Sequence, residues 1–329
     1  MDLSENGIKM KYKKCGNSGL KMPALSLGLW HSFGNRGDFN RQKEIIFRAF
    51  DLGINCFDLA NNYGPPYGAA ETNFGKVMKE IKSHRDEMLI TTKAGFDMWP
   101  GPYGDHGSGK YLTASLDQSL KRMGLDHVDI YYHHRPDPET PLEETCRALD
   151  SLVRAGKTLY VGVSNYNKEQ TDAALKIFKR LGTPFVVNQS RFSLLDRKIE
   201  RTGLLSYVND RGLGLVTFSP LAQGLLTGKY LGSVPSDSRV MTDGRYLTAA
   251  DAENPELREK VKALCEIALS RGQTPAQMAL SWVLSHEAVT GVIIGASSAG
   301  QLTENLAALE NTGFTAEELE KINKITIKN

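Results

Sequence analysis

Short apolar runs alternate along this chain with longer segments whose apolar residues recur every three to four positions. The first kind reads as buried strands and the second as amphipathic helices. Strand-like runs are Met22–Trp30, the stretch Ile54–Tyr63 with its strand ending at Asp58, Met88–Lys93, Val128–His134, Leu159–Asn165, Phe185–Gln189, Leu213–Phe218 and Val289–Gly295. Helical patterns fall at about Arg41–Leu52, Glu71–Ile81, Thr113–Met123, Leu142–Ala155, Glu169–Leu181, Leu204–Asn209 and Ala299–Leu309. In the first of these, Ile45, Ile46, Ala49 and Phe50 form the stripe and Gly53 is the stop. Strands alternating with helices and no composition break predict an α/β fold, a single (β/α)8 TIM barrel over residues 1–329. A doubly wound sheet is the runner-up, weakened because no G-x-G-x-x-G follows the first strand. The turn Gly16-Asn17-Ser18-Gly19 inside Lys11–Lys21 predicts a hairpin capping the base. The tail 311–329 packs on the barrel or on a neighbouring subunit, and homo-oligomerisation is open.

Two connections exceed what a simple turn needs. Gly95–Leu112 carries Trp99, Tyr103 and His106, and Ser219–Pro255 carries Gly224, Gly228, Gly232 and Pro235. Both follow a predicted strand, so in a barrel both lie on the C-terminal face, where active sites are built.

Composition narrows the class of partner. The 329 residues are 40% hydrophobic and 24% charged with a net charge of +2, too balanced for a binder that lives on phosphate contacts to nucleic acid or a membrane surface. No run reaches the length of a spanning helix, and the first residues show no secretion signal. Cysteines at 15, 56, 146 and 265 lack ligand or disulfide spacing, which suits reduced thiols in the cytoplasm. No metal is expected. His133 and His134 are neighbours on a strand and point to opposite faces, with no third ligand at a sensible spacing. Gly104–Lys110 has phosphate-loop spacing but continues with Tyr111 where Ser or Thr must follow.

The ends of strands two, three and four bring Asp58 and Tyr63, Lys93 and His134 to one face. Asp58 and Tyr63 read equally as a structural carboxylate with a rim aromatic or as chemistry, and Lys93 has a rival reading as a buried cation paired with Asp58. As chemistry they are coherent: tyrosine is a weak acid near neutral pH, and a nearby ammonium favours its phenolate. A carboxylate beside the lysine keeps it protonated, and a neutral imidazole can orient a substrate oxygen. Trp99 and Tyr103, on the loop above, are candidate substrate contacts, as is Trp30. Arg135 and Arg191 read as solvated or ion-paired side chains.

With these residues in place the chain resembles the aldo-keto reductase superfamily over nearly its whole length. Asp58 and Tyr63 in FDLANNYG, Lys93 in ITTKAG and His134 in DIYYHHRPD match the catalytic tetrad. The resemblance implies a nicotinamide held by Ser164 and Asn165 of GVSN and by Gln189, with Phe218 against its ring and Trp30 beside it. It implies a pyrophosphate and adenosine clamp of Ser219, Leu221, Gln223, Lys229 and Arg239, then Gly295, Ser297, Gln301, Glu304 and Asn305 from IIGASSAGQLTENL. Gly295 and Gln301 stand where many relatives carry Lys and Arg for the 2′-phosphate, and Lys229 and Arg239 can supply that charge instead, so NADPH is the expected cofactor. KAGFDMWPGPYG and PLAQGLLTGKY resemble the branch holding bacterial L-glyceraldehyde 3-phosphate reductases and potassium-channel beta subunits. The implied activity is reduction of small aldehydes, L-glyceraldehyde 3-phosphate or methylglyoxal among them. The rivals are a nucleotide-sensing subunit with slow turnover and an unrelated barrel hydrolase.

Overall fold

The computed structural model describes residues 8–232, 234–235, 238–242 and 247–327, without the side chains of Arg239 and Thr242. Eight parallel strands close into a barrel: β3 Leu25–Gly28, β4 Cys56–Asp58, β5 Leu89–Ala94, β6 Val128–His133, β7 Thr158–Ser164, β8 Phe185–Arg191, β9 Gly214–Phe218 and β10 Val289–Ile294. β10 pairs with β3 to complete the circle. The hairpin strands β1 Tyr12–Lys14 and β2 Lys21–Pro23 pair antiparallel outside it.

Side-chain parity sorts the barrel residues into two cores. Outward residues such as Leu27, Phe57, Ile90, Tyr131, Val161 and Leu215 pack under the helices. Inward residues Cys56, Ile130, Val187, Val216 and Ile293 fill the barrel, and Cys15 and Met22 of the hairpin segment plug its base. The plug is tied down by Asn17, whose N–H donates to the Gly212 carbonyl at 2.8 Å, and by Lys13, whose ammonium donates to the Val289 carbonyl at 3.1 Å.

Three sequence expectations need correction. Met22–Trp30 is not one strand: Pro23 has no N–H to continue a ladder, Ala24 donates to the Lys11 carbonyl at 2.8 Å, and the barrel strand begins only at Leu25. Helices at Pro255–Ser270 and Pro275–Leu284, the second packed on β10, carry no predicted pattern. In Pro275–Leu284 the six consecutive residues Met278–Val283 are all buried, so no polar stripe marks a helical period. The two long connections are partly helical as well. The helix Gly109–Met123 begins inside the first, capped by Ser108, and the second holds a 3-10 segment at Ala222–Thr227 and short helices at Arg239–Thr242 and Ala249–Glu253. The tail forms a helix at Ala316–Thr326, fastened to the barrel wall by Arg197, which donates to Asn323 at 2.6 Å and Thr326 at 3.0 Å.

Candidate active site

On four of the barrel strands the inward side chains become more polar toward the mouth. On β4 Cys56 is followed by Asp58, on β5 Leu89 by Thr91 and Lys93, on β6 Ile130 by Tyr132 and then His134, and on β8 Val187 by Gln189 and Arg191. Asp58 accepts three hydrogen bonds: Lys93 Nζ reaches Oδ2 at 2.6 Å, while Thr91 Oγ1 and Gln189 Nε2 reach Oδ1 at 2.8 and 2.9 Å. Lys93 has 0% exposure, and its remaining donors go to the Leu59 carbonyl at 2.7 Å and the Tyr63 hydroxyl at 3.3 Å. Its Nζ stands 4.9 Å from the centre of the Tyr63 ring.

Burial is the strongest influence on Lys93 and works against its charge. The Asp58 carboxylate, with Tyr63 and the hydrogen bonds from both, outweighs it, so the ammonium is held above the ordinary lysine value. A buried charge persists only when its partners compensate for lost water, and here all three ammonium protons are spoken for.

His134 carries no such partner. Burial first, then the positive charge of Lys93, push its pKa well below the usual histidine value, which leaves a neutral imidazole. Its ring meets Phe96 edge-on at 4.7 Å and Tyr63 at 6.0 Å between centroids, and its Nδ1 has no hydrogen-bond partner. His133 faces the other way, with Nδ1 2.7 Å from the Tyr166 hydroxyl, and burial lowers its pKa to about 4. The two imidazoles therefore occupy different layers, and among the described residues no cluster of His, Cys, Asp and Glu could hold a metal ion.

A cleft of about 1010 Å³ opens over this floor. Asp58, Tyr63 and His134 form one end, with Trp30 on the wall, its ring 5.9 Å from that of Tyr63. Ser164, Asn165, Gln189 and Phe218 lie along the middle, and Ser219, Leu221, Gln223 and Lys229 follow. The far end is Gly295, Ser297, Gln301, Glu304 and Asn305, where Gln301 Oε1 accepts from the Ser297 N–H at 2.9 Å. Arg239 sits in its short helix, and its side chain lies outside the described residues.

Other placements differ from the sequence reading. Trp99 turns away from the cleft to pack on Tyr111 at 5.1 Å, and Tyr103 is 54% exposed with Lys110 over its ring. Neither lines the cavity, whereas Phe96, Arg135, Arg191 and His31 do. Gln189 lines the cleft as expected and also donates an amide N–H to Asp58 at the floor. Thr91 was missed, although its place two residues before Lys93 on one strand face is a usable signal.

Aromatic rings of Trp30, Tyr63 and Phe218 and the ammonium of Lys229 are among the groups that line the cleft. Of the six described non-glycine residues with left-handed backbone, His31, Asn165, Ser219 and Gln223 are on its wall. Such conformations cost energy and persist where a site needs them. Asn62, also on the wall, has a buried side-chain oxygen with no hydrogen-bond partner among the described residues. These features suit a nicotinamide dinucleotide.

Comparison with known proteins points the same way. The model of the aldo/keto reductase family matches residues 24–327. A protein of Escherichia coli K12 named L-glyceraldehyde 3-phosphate reductase is 52% identical over 320 residues, covering 96% of this chain and 92% of its own. A probable voltage-gated potassium channel subunit beta of Arabidopsis thaliana is 38% identical over 303 residues, 92% of each chain. A putative channel beta subunit of Schizosaccharomyces pombe is 38% identical over 322 residues, 95% of this chain and 92% of its own.

Proposed function

The chain belongs to the aldo/keto reductase family, and from that premise we propose that it reduces small aldehydes with NADPH, L-glyceraldehyde 3-phosphate and methylglyoxal being the candidate substrates. The observation that carries the reading is the sealed ammonium of Lys93, bound to Asp58 at 2.6 Å on one side and to the Tyr63 hydroxyl at 3.3 Å on the other. The 52% identical relative named for glyceraldehyde 3-phosphate reduction supports the substrate class.

When bound, the nicotinamide supplies a hydride to the carbonyl carbon. Tyr63 protonates the carbonyl oxygen, and the ammonium beside it stabilises the charge left on the phenolic oxygen. Asp58 keeps Lys93 charged and fixed in direction. His134, neutral across the working pH range, donates a hydrogen bond that orients the carbonyl without competing for the proton. Ser164, Asn165, Gln189 and Phe218 would hold the nicotinamide end, and Ser219 to Lys229 with Ser297 to Asn305 would hold the remainder.

Replacing Tyr63 by Phe should leave NADPH affinity intact and lower turnover about 10²–10⁴-fold. Loss of nicotinamide absorbance at the wild-type rate in that variant would refute the assignment. A second reading, an NADPH-sensing subunit, draws on the similarity to the beta subunits. Sustained steady-state cycling over many turnovers excludes it, and a single slow oxidation of bound NADPH limited by cofactor release establishes it.

A further inference from the structure

The mouth of the barrel carries two guanidiniums near its catalytic end, and they are not equivalent. Arg135 is neutralised: its Nη2 contacts both Asp105 oxygens at 2.8 Å, its Nε donates to the Gly95 carbonyl at 2.7 Å, and it lies on the Phe96 ring at 4.5 Å. Arg191 is exposed on the same cleft, and among the described residues it has neither a carboxylate nor a hydrogen-bond partner. Its guanidinium carbon stands 6.0 Å from the centre of the Phe218 ring. An arginine left with five free donors on a concave wall is primed for an oxyanion, since a planar fork matches phosphate and carboxylate.

The strand sets its height. Gln189 and Arg191 share the inward face of β8, and Gln189 lies in the catalytic layer because its amide touches Asp58 at 2.9 Å. Two residues along a strand is a rise of about 7 Å, so Arg191 stands one rung above the carbonyl-reducing floor. The phosphate of a triose phosphate, with its phosphorus four bonds from the aldehyde carbon, falls within reach of its side chain. The adenosine end of the cleft has its own cation in Lys229 and its own acid in Glu304, both on connections after β9 and β10.

We propose that Arg191 is a specificity-determining residue that anchors the anionic group of the substrate, which makes short phosphorylated or carboxylated aldehydes the preferred class over neutral ones. This rests on the reductase reading above and sharpens it, because the two candidate substrates differ in this property: glyceraldehyde 3-phosphate is an anion and methylglyoxal is neutral.

The test is steady-state kinetics of wild type, Arg191→Ala and Arg191→Lys on glyceraldehyde 3-phosphate and on unphosphorylated glyceraldehyde, with NADPH affinity measured separately by fluorescence quenching. Loss of a charge-assisted contact should lower kcat/KM for the phosphorylated aldehyde about 10–100-fold, chiefly through KM. Arg191→Lys should recover part of that loss. Values for glyceraldehyde and the NADPH dissociation constant should stay within about twofold of wild type, since neither contact is charge-assisted at Arg191. Equal losses on both aldehydes, weakened NADPH binding, or no change on either would each overturn the proposal. Wild-type protein that reduces neither aldehyde would instead sink the reductase reading on which it stands.

Discussion

The two ends of the barrel interior are built from the same strands and share the same exclusion of water, yet one suppresses charge and the other keeps it. At the base, burial pushes the thiols of Cys15 and Cys56 up to about 12, so both remain neutral. Two residues further along β4, Asp58 accepts Lys93, Thr91 and Gln189, and Lys93 keeps its proton despite complete burial. The difference is not depth but partners. A low-dielectric interior penalises any lone charge and strengthens any compensated one, and the barrel uses both outcomes within a few ångströms.

The comparison breaks most severely at the pair itself. Asp58→Ala leaves the Lys93 ammonium uncompensated, and its unfolding free energy should fall by about 3–5 kcal/mol, read from urea midpoints at pH 7. A cost of well under 1 kcal/mol would show that the pair is solvated. Next is His133 on the outer face of β6, neutral because it is buried. Its folded pKa of about 4 lies below the ordinary value, so the unfolded chain binds the extra proton. The stability it lends is complete above about pH 6.5 and is lost as pH falls toward 4, on the order of 3 kcal/mol in all. His133→Gln should therefore show a shallower acid decline than wild type, and parallel declines would contradict the assignment.

Smaller is the effect expected at Gly162, which gives the Tyr132 ring its space: a Cβ there would lie 2.5 Å from the ring. Tyr132 is 6.0 Å from the Lys93 ammonium. Gly162→Ala should cost about 1–3 kcal/mol by overpacking and disturb activity through the pair, while full activity would show that Tyr132 does not steady the floor. Least is the consequence at Cys56: with its thiol near 12, native protein should not be alkylated there at pH 8 over hours, whereas unfolded protein should be. Rapid native alkylation would mean that the base is open.

Much of this was readable in the chain. The alternation of strand and helix predicted the barrel, and Asp58, Tyr63, Lys93 and His134 were placed by their positions at strand ends, because parity on a strand is a local property. What escaped depends on contacts between distant segments. Gln189 supports Asp58 from 131 positions away, and no local period encodes that. Trp99 and Phe96 share one loop, yet one turns to Tyr111 and the other to His134, a choice made by tertiary packing. Met278–Val283 of the helix Pro275–Leu284 is buried on every side, so the signal that marks surface helices is absent there. Arg191 carried no sign of its isolation until its neighbours were known.

The central claim is that the buried pair tunes Tyr63, and the pH dependence of kcat for aldehyde reduction in wild type and Asp58→Asn tests it directly. Removing the carboxylate deletes the influence that raises the Lys93 pKa and leaves the burial that lowers it. The ammonium should then lose its proton at lower pH, so the alkaline limb of the variant should move to lower pH as its maximal rate falls. Superimposable alkaline limbs, with only the amplitude reduced, would contradict the account.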